Sequence, residues 1–201
     1  MSAIPSEVTL RHRTPDTRPN GWWGMVLLIA TEATLFFVLL AGYFYLRFQS
    51  TPAWPPDGID PPKLIVPGVM TALIVASSVP MWWAHRGIRH GRTRRLESGL
   101  LGTFFIGALF VAVQVHEFRD KLDHFKPQTD AYGSMFFTIT GLHAAHVVVG
   151  LLLTLWTYAH TLRGSFTHKR YATVQATALY WHFMPAMWVI IFLALYVSPR
   201  A

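Results

Sequence analysis

Residues 22–47 read WWGMVLLIATEATLFFVLLAGYFYLR, 26 positions with one acid and one arginine, the arginine at the very end. At 1.5 Å rise per residue a helix over this stretch is about 39 Å long, more than the roughly 30 Å of a bilayer's hydrocarbon core. Four more blocks of the same kind follow, at 65–86, 97–118, 131–162 and 170–197. Each passes the roughly 20 apolar residues that a spanning helix needs, whereas a membrane strand takes about 9–11 and alternates polar with apolar. The expected fold is all-α, a polytopic membrane bundle of five transmembrane helices forming a single membrane domain, residues 21–201. A polar N-terminal segment, residues 1–20, precedes it and lacks the short apolar run of a cleaved signal peptide.

Charge fits the same picture. Only 13% of the 201 residues are charged, about half of the roughly 25% usual in soluble domains. Seventeen Lys+Arg against ten Asp+Glu leave +7, a value compatible with nucleic acid, an anionic surface or asymmetric membrane loops. Placement decides among these. Five crossings put the N-terminal segment and the stretches 85–95 and 163–170 on one side, with eleven basic and three acidic residues; the other side carries six of each. Lys and Arg accumulate on the cytoplasmic side, so the N-terminus is expected in the cytoplasm and the C-terminus outside, with no nucleic-acid partner. The five prolines of residues 51–62, TPAWPPDGIDPP, predict an extended, stiff surface loop.

Inside the blocks, Pro80 and Pro185 each remove one helix hydrogen bond, so kinks are expected at both. Small residues recur at Gly102 and Gly107 and at Ser134, Gly141, Ala144, Ala145 and Gly150. Such positions let helices approach closely in lipid, which points to the fourth helix as the central one. The tryptophans Trp22, Trp23, Trp54, Trp82, Trp83, Trp181 and Trp188 are assigned mostly to interfacial belts.

Cysteine is absent, which excludes disulfides, thiolate metal sites, iron–sulfur clusters and cysteine nucleophiles. No phosphate-cradling glycine loop, nucleophile elbow or zinc-protease helix occurs. Glu32 is the one acid deep inside a block. A charged carboxylate at a helix centre costs about 2.5–3.5 kcal/mol to insert, so it is either a proton-linked or lipid-contacting site or a neutral acid hydrogen-bonded to a neighbouring helix. Glu117, at the outer end of the third helix beside Gln114 and His116, reads as close to water, in a solvated or interfacial ion-pair role. His12, His85, His90, His124 and His168 are expected at the surface. His143 and His146 lie within about 60° of each other on the fourth helix, with His182 expected at similar depth on the fifth, next to Trp181. These imidazoles either hydrogen-bond between helices or, through His143 and His182, could ligate a haem. Three classes stay open on the residues alone: a cofactor-free subunit of a larger complex, a proton-linked transporter and a haem-b membrane redox protein.

Several residue groups in one order carry a resemblance. They are Gly24-Met25, Thr31-Glu32 and Phe36-Phe37, then Trp54-Pro55-Pro56-Asp57-Gly58-Ile59-Asp60-Pro61, Ala76-Ser77 and Trp83-Ala84-His85. Gln114-Val115-His116-Glu117-Phe118 follows, then Tyr132-Gly133-Ser134, Phe136-Phe137, Thr140-Gly141, His143, His146-Val147 and Gly150, and finally Tyr180-Trp181-His182-Phe183 and Trp188. From about residue 20 onward the chain resembles cytochrome c oxidase subunit III of the haem–copper oxidase superfamily, in its five-helix bacterial form. Pro185 stands where that family has an Asp after its YWHF stretch.

The resemblance implies an accessory, non-catalytic subunit of a proton-pumping terminal oxidase of aerobic respiration, in the bacterial cytoplasmic (inner) membrane. It implies no cofactor on this chain, with haem and copper in partner subunits and structural phospholipid bound. It further implies packing on subunit I, with subunit II, phospholipids and other respiratory complexes as further partners, and a role in proton uptake and catalytic stability. Glu32 would be the family's buried, carbodiimide-reactive acid. His143, His146, Trp181 and His182 would be a polar core of packing groups, with no catalytic or metal-ligating residue. Within the superfamily the alternatives are subunit III of a quinol oxidase and the subunit-III-like protein of nitric oxide reduction.

Overall fold

A computed structural model describes residues 20–50, 54–56, 64–124, 127–128 and 130–200. The polar N-terminal segment up to residue 19, with His12, lies outside these, as do most of the proline-rich loop and the side chain of His124. The elements are α1 (Asn20–Gln49), α2 (Ile65–Ala76), α3 (Ser78–Arg89), α4 (Thr93–His124), α5 (Ala131–Leu162) and α6 (Ala172–Phe192). A wider π-type turn over Leu193–Val197 and a 3₁₀ turn over Ser198–Arg200 continue α6. Taken as α1, α2 with α3, α4, α5 and α6 with its continuation, these give five spans long and apolar enough to cross a membrane.

Local chemistry sets the ends and breaks. Asp130, extended at φ −153° and ψ 166°, caps α5 by accepting from the Gly133 N–H at 2.6 Å. Gly91 and Gly164, with φ of 69° and 68°, turn the chain after α3 and α5, where a Cβ is disfavoured. The second span is interrupted at Ser77, three residues before Pro80. Pro80 has no N–H for the Ala76 carbonyl, and α2 ends at Ala76. Pro185 lies inside α6, which stays helical on both sides of it. The stretch 85–95 is mostly helical, with only residues 90–92 between α3 and α4.

The central helix is the fifth span, not the fourth. Of the most apolar window of each span, 56% is buried for the fifth, 44% for the fourth and 11% for the first. Helix α6 packs against α1, α2, α3 and α5 and brings Trp181 and Trp188, both fully buried, to the core. Small residues on α4 and α5 mark sockets for that bulk, not the hub itself. A Cβ at Gly107 would sit 2.5 Å from Trp181 Cη2, and one at Gly150 3.2 Å from Cε3 of the same ring. Two tryptophans assigned to the interface are thus core residues. Both carry their indole N–H into the second span, Trp181 to Ser77 Oγ and Trp188 to Thr71 Oγ1, each at 3.0 Å.

The proline-rich loop is not wholly a surface feature either. Pro55 is buried, and the Trp54 ring lies 5.5 Å from Tyr43 and 5.3 Å from Tyr132, closing that end of the bundle. Nearby, Arg47 at the end of α1 donates to Ser198 Oγ at 2.6 Å and to the Ser198 carbonyl at 2.8 Å, tying down the last turn of the fifth span.

Candidate functional site

Glu32 and His146 meet at the α1–α5 contact, with Glu32 Oε2 2.8 Å from His146 Nε2. Glu32 lies 12 residues into α1, about 18 Å along it, and its side chain keeps 23% exposure against 15% for His146. The pair therefore sits at the outer surface of the bundle, at mid-span depth, where Leu27, Leu28, Leu35 and Phe37 of α1 are exposed beside Thr31 and Thr34, whose hydroxyls donate to carbonyls of their own helix. On the buried side Phe36 packs its ring 5.3 Å from that of His146. The Tyr180 hydroxyl donates to the His146 carbonyl at 3.2 Å, so α6 holds the same turn.

The second nitrogen of His146 fixes how many protons the pair holds. Nδ1 is 2.7 Å from the Leu142 carbonyl, which only accepts, so Nδ1 carries a proton. Nε2 then either accepts from a protonated Glu32 or, in an imidazolium, donates to a carboxylate. In both arrangements one proton lies between Glu32 and His146 and the pair is net neutral. That is how a carboxyl group can stand at this depth without the cost of a lone charge.

His143, one turn earlier, has a different environment. It is fully buried, and neither ring nitrogen has a hydrogen-bond partner among the described residues. Its ring faces Phe36 and Phe110, each at 6.1 Å, and Trp188 at 5.0 Å. His182 does not share its depth, contrary to the sequence expectation. Helices α5 and α6 run antiparallel with His143 against Trp188, Gly150 against Trp181 and Thr157 bonded to Thr177 at 2.9 Å. His182 therefore stands opposite the Gly150 level, about 10 Å along the axis from His143. Its electrostatic neighbour is His85 on α3. A haem held between His143 and His182 does not fit this register. Among the described residues no group of three or more His, Asp or Glu is placed to hold a metal ion.

At the other end of α4, Gln114 is buried at 3% exposure, its Oε1 without a hydrogen-bond partner among the described residues. Glu117 pairs with Lys121 at 2.5 Å, both side chains under 20% exposed, and the Lys121 ammonium lies over Phe136 and Tyr196 at 5.7 and 5.5 Å. Of the two roles expected for Glu117, solvated acid or interfacial ion pair, the structure shows the ion pair, mostly buried and backed by cation–π contact. The Glu-x-x-x-Lys spacing could have flagged this partner. Thr71 carries no signal in the sequence that marks it as a partner, and Ser77 stands out there only beside Ala76, not as the acceptor of the Trp181 N–H. His85, expected at the surface, is half-buried, and its Nε2 has no partner among the described residues.

Comparison with known proteins supplies the context. The chain matches the profile of the cytochrome c oxidase subunit III family over residues 4–199. Proteins named cytochrome c oxidase subunit 3 from Coturnix japonica and Loxodonta africana are 32% and 31% identical to it over 190 residues, and that from Mus musculus is 31% identical over 194. Each alignment covers 92% of this chain and 72% of the relative.

Proposed function

Because the chain belongs to the cytochrome c oxidase subunit III family, we propose that it is the accessory, cofactor-free subunit III of a proton-pumping cytochrome c oxidase in aerobic respiration. The family match along almost the whole chain carries this reading. In it the chain has no catalytic residue. It packs on subunit I, which with subunit II carries the haems and coppers, and binds phospholipid at its outer face. It supports proton uptake and the catalytic lifetime of the complex, in a bacterial cytoplasmic membrane with its N-terminus inside.

The Glu32–His146 pair supports a structural version of this role. Helix α1 is the least buried span, so few packing contacts fix its position. A neutral hydrogen-bonded pair at mid-depth holds α1 on α5 without a net charge in the lipid. Glu32, which accounts for the polar character of this face, is held there as one half of a proton-sharing pair. His143, Trp181 and His182 act as packing groups of the interior, and Gln114 and Glu117 as an outer polar end.

Purification in mild detergent through a tag on this chain tests the assignment. A copurifying core that contains haem and copper is the expected result, and its haem types and electron donor separate a cytochrome c oxidase from a quinol oxidase or a nitric oxide reductase. A chain that runs alone refutes the subunit reading. A Soret band at stoichiometric haem on the separated chain would refute its cofactor-free part.

A further inference from the structure

The last turns of α3 form a second polar feature, at the opposite side of the bundle from Lys121 and unconnected with Glu32. Trp82, His85, Arg86, Arg89 and His90 line an open cleft of about 370 Å³, within the roughly 300–1,000 Å³ of small-ligand sites. Among the described residues no carboxylate lines it, and neither Arg86 nor Arg89 takes part in the Glu117–Lys121 or Glu32–His146 pair. Arg86 and Arg89 thus converge on the cleft without an anionic partner among the described residues. Arg86 lies 5.1 Å over the Trp82 ring, which holds its guanidinium at the edge of the apolar surface. The His90 Nδ1–H donates to the Arg86 carbonyl at 2.8 Å, leaving Nε2 free of that bond, and His85 has a buried Nε2 with no partner among the described residues.

An apolar track leads into this cleft. Val75, Val79 and Trp82 are 45%, 65% and 51% exposed and stand at i, i+4 and i+7, with Arg86 at i+11. The turn at Ser77 keeps right-handed helical dihedrals, φ −62° and ψ −18°, so the count carries through the break. At 100° per residue these positions and Arg89 fall within an arc of about 80°. One face of the second span therefore runs from bare apolar side chains at membrane depth to two arginines at its end that have no acidic partner among the described residues. A molecule that complements both halves has a hydrocarbon chain and an anionic head.

We propose that this face binds a phospholipid with a net negative headgroup, its phosphate held by Arg86 and Arg89 and its acyl chain along Val75, Val79 and Trp82. Arginine suits a phosphate through its planar, forked donors, and basic clefts at helix ends are where such headgroups collect. This gives the lipid-binding part of the proposed function a class of ligand and a place. It rests on the membrane reading of the chain and not on the oxidase assignment.

The test uses the full chain in whatever assembly its tag retrieves, so loss of the oxidase core and loss of lipid are read separately. The assembly is equilibrated with micelles carrying phosphatidylglycerol or phosphatidylcholine of matched acyl chains, washed, and its lipid counted by mass spectrometry. Expected is one more retained phosphatidylglycerol per chain than phosphatidylcholine, a drop of at least tenfold in its affinity in R86Q/R89Q, and no change in R119Q, which removes an exposed charge from the far end of α4. R86K/R89K, which keeps both charges, should retain most of the binding and guards against a folding defect. Equal retention in wild type and R86Q/R89Q, or of the two lipids, would overturn the proposal. So would displacement by inorganic phosphate, which would mark a free-anion site, or loss of a copurifying protein with lipid unchanged, which would mark a protein contact.

Discussion

Replacing Gly107 by alanine puts one methyl group into the best-defined contact of the bundle. The new Cβ would lie 2.5 Å from Trp181 Cη2, 2.8 Å from Cζ2 and 3.0 Å from Leu151 Cδ2, whereas carbons rest at about 3.5–4.0 Å. The indole must retreat by about 1 Å, and it has little freedom to do so. It is fully buried, Gly150 closes on another edge of the ring, and Nε1 is bonded to Ser77 Oγ at 3.0 Å. Overpacking of this kind costs about 1–3 kcal/mol, and stranding the buried N–H would add about 1–3 kcal/mol. Gly24→Ala is the matched control, since nothing lies within 4 Å of its Cβ position and alanine is the better helix former by up to about 1 kcal/mol. The two substitutions should differ by at least about 2 kcal/mol, roughly 30-fold in the folded-to-unfolded ratio. Detergent-solubilised full chain titrated with dodecyl sulfate and followed by far-UV circular dichroism measures this. In a Trp181→Phe background, where the ring is shorter, the cost of Gly107→Ala should fall, giving a coupling in the range of about 0.5–3 kcal/mol. A Gly107→Ala chain as stable as Gly24→Ala, or a cost unchanged by Trp181→Phe, would refute the socket account of α6.

Three further outcomes follow from the polar groups. With Glu32 protonated, Glu32→Gln keeps a donor to His146 Nε2 and should hold wild-type stability in the same titration, while Glu32→Ala strands that nitrogen and loses about 1–3 kcal/mol; a Gln variant as weak as the Ala variant would instead reveal a carboxylate–imidazolium pair. His143→Leu should be neutral or stabilising by up to about 2 kcal/mol, because no hydrogen bond is lost and a desolvated imidazole is removed; a clear loss would show that His143 has a polar partner in the assembly. Arg47→Met removes both bonds to Ser198, so amide exchange over residues 194–200 should accelerate while that of α5 stays unchanged.

The five spans and their approximate bounds were legible in the chain because the cost of exposing backbone polar groups to hydrocarbon leaves long apolar runs little choice but helix. The break before Pro80 was equally local, set by the missing N–H of one residue. Pro185 carries the same missing N–H, and there α6 stays helical on both sides of it while packed against its neighbours.

Glu32 could be singled out from the sequence as a costly acid in an apolar block, but its partner could not. His146 was identified only as one of three histidines at mid-membrane depth. Periodicity tells which residues of one helix share a face. It does not tell at what height two helices meet, and that height decided the site. The seating of Trp181 between Gly107 and Gly150 sets the register of α5 against α6. That register brings Trp188, not His182, to His143, while the α1–α5 contact leaves His146 for Glu32. Helix number, length and the existence of a membrane acid come from residue chemistry read one segment at a time. Which helix is the hub, and which histidine shares the acid's proton, come from side-chain volumes fitted between segments far apart in the chain.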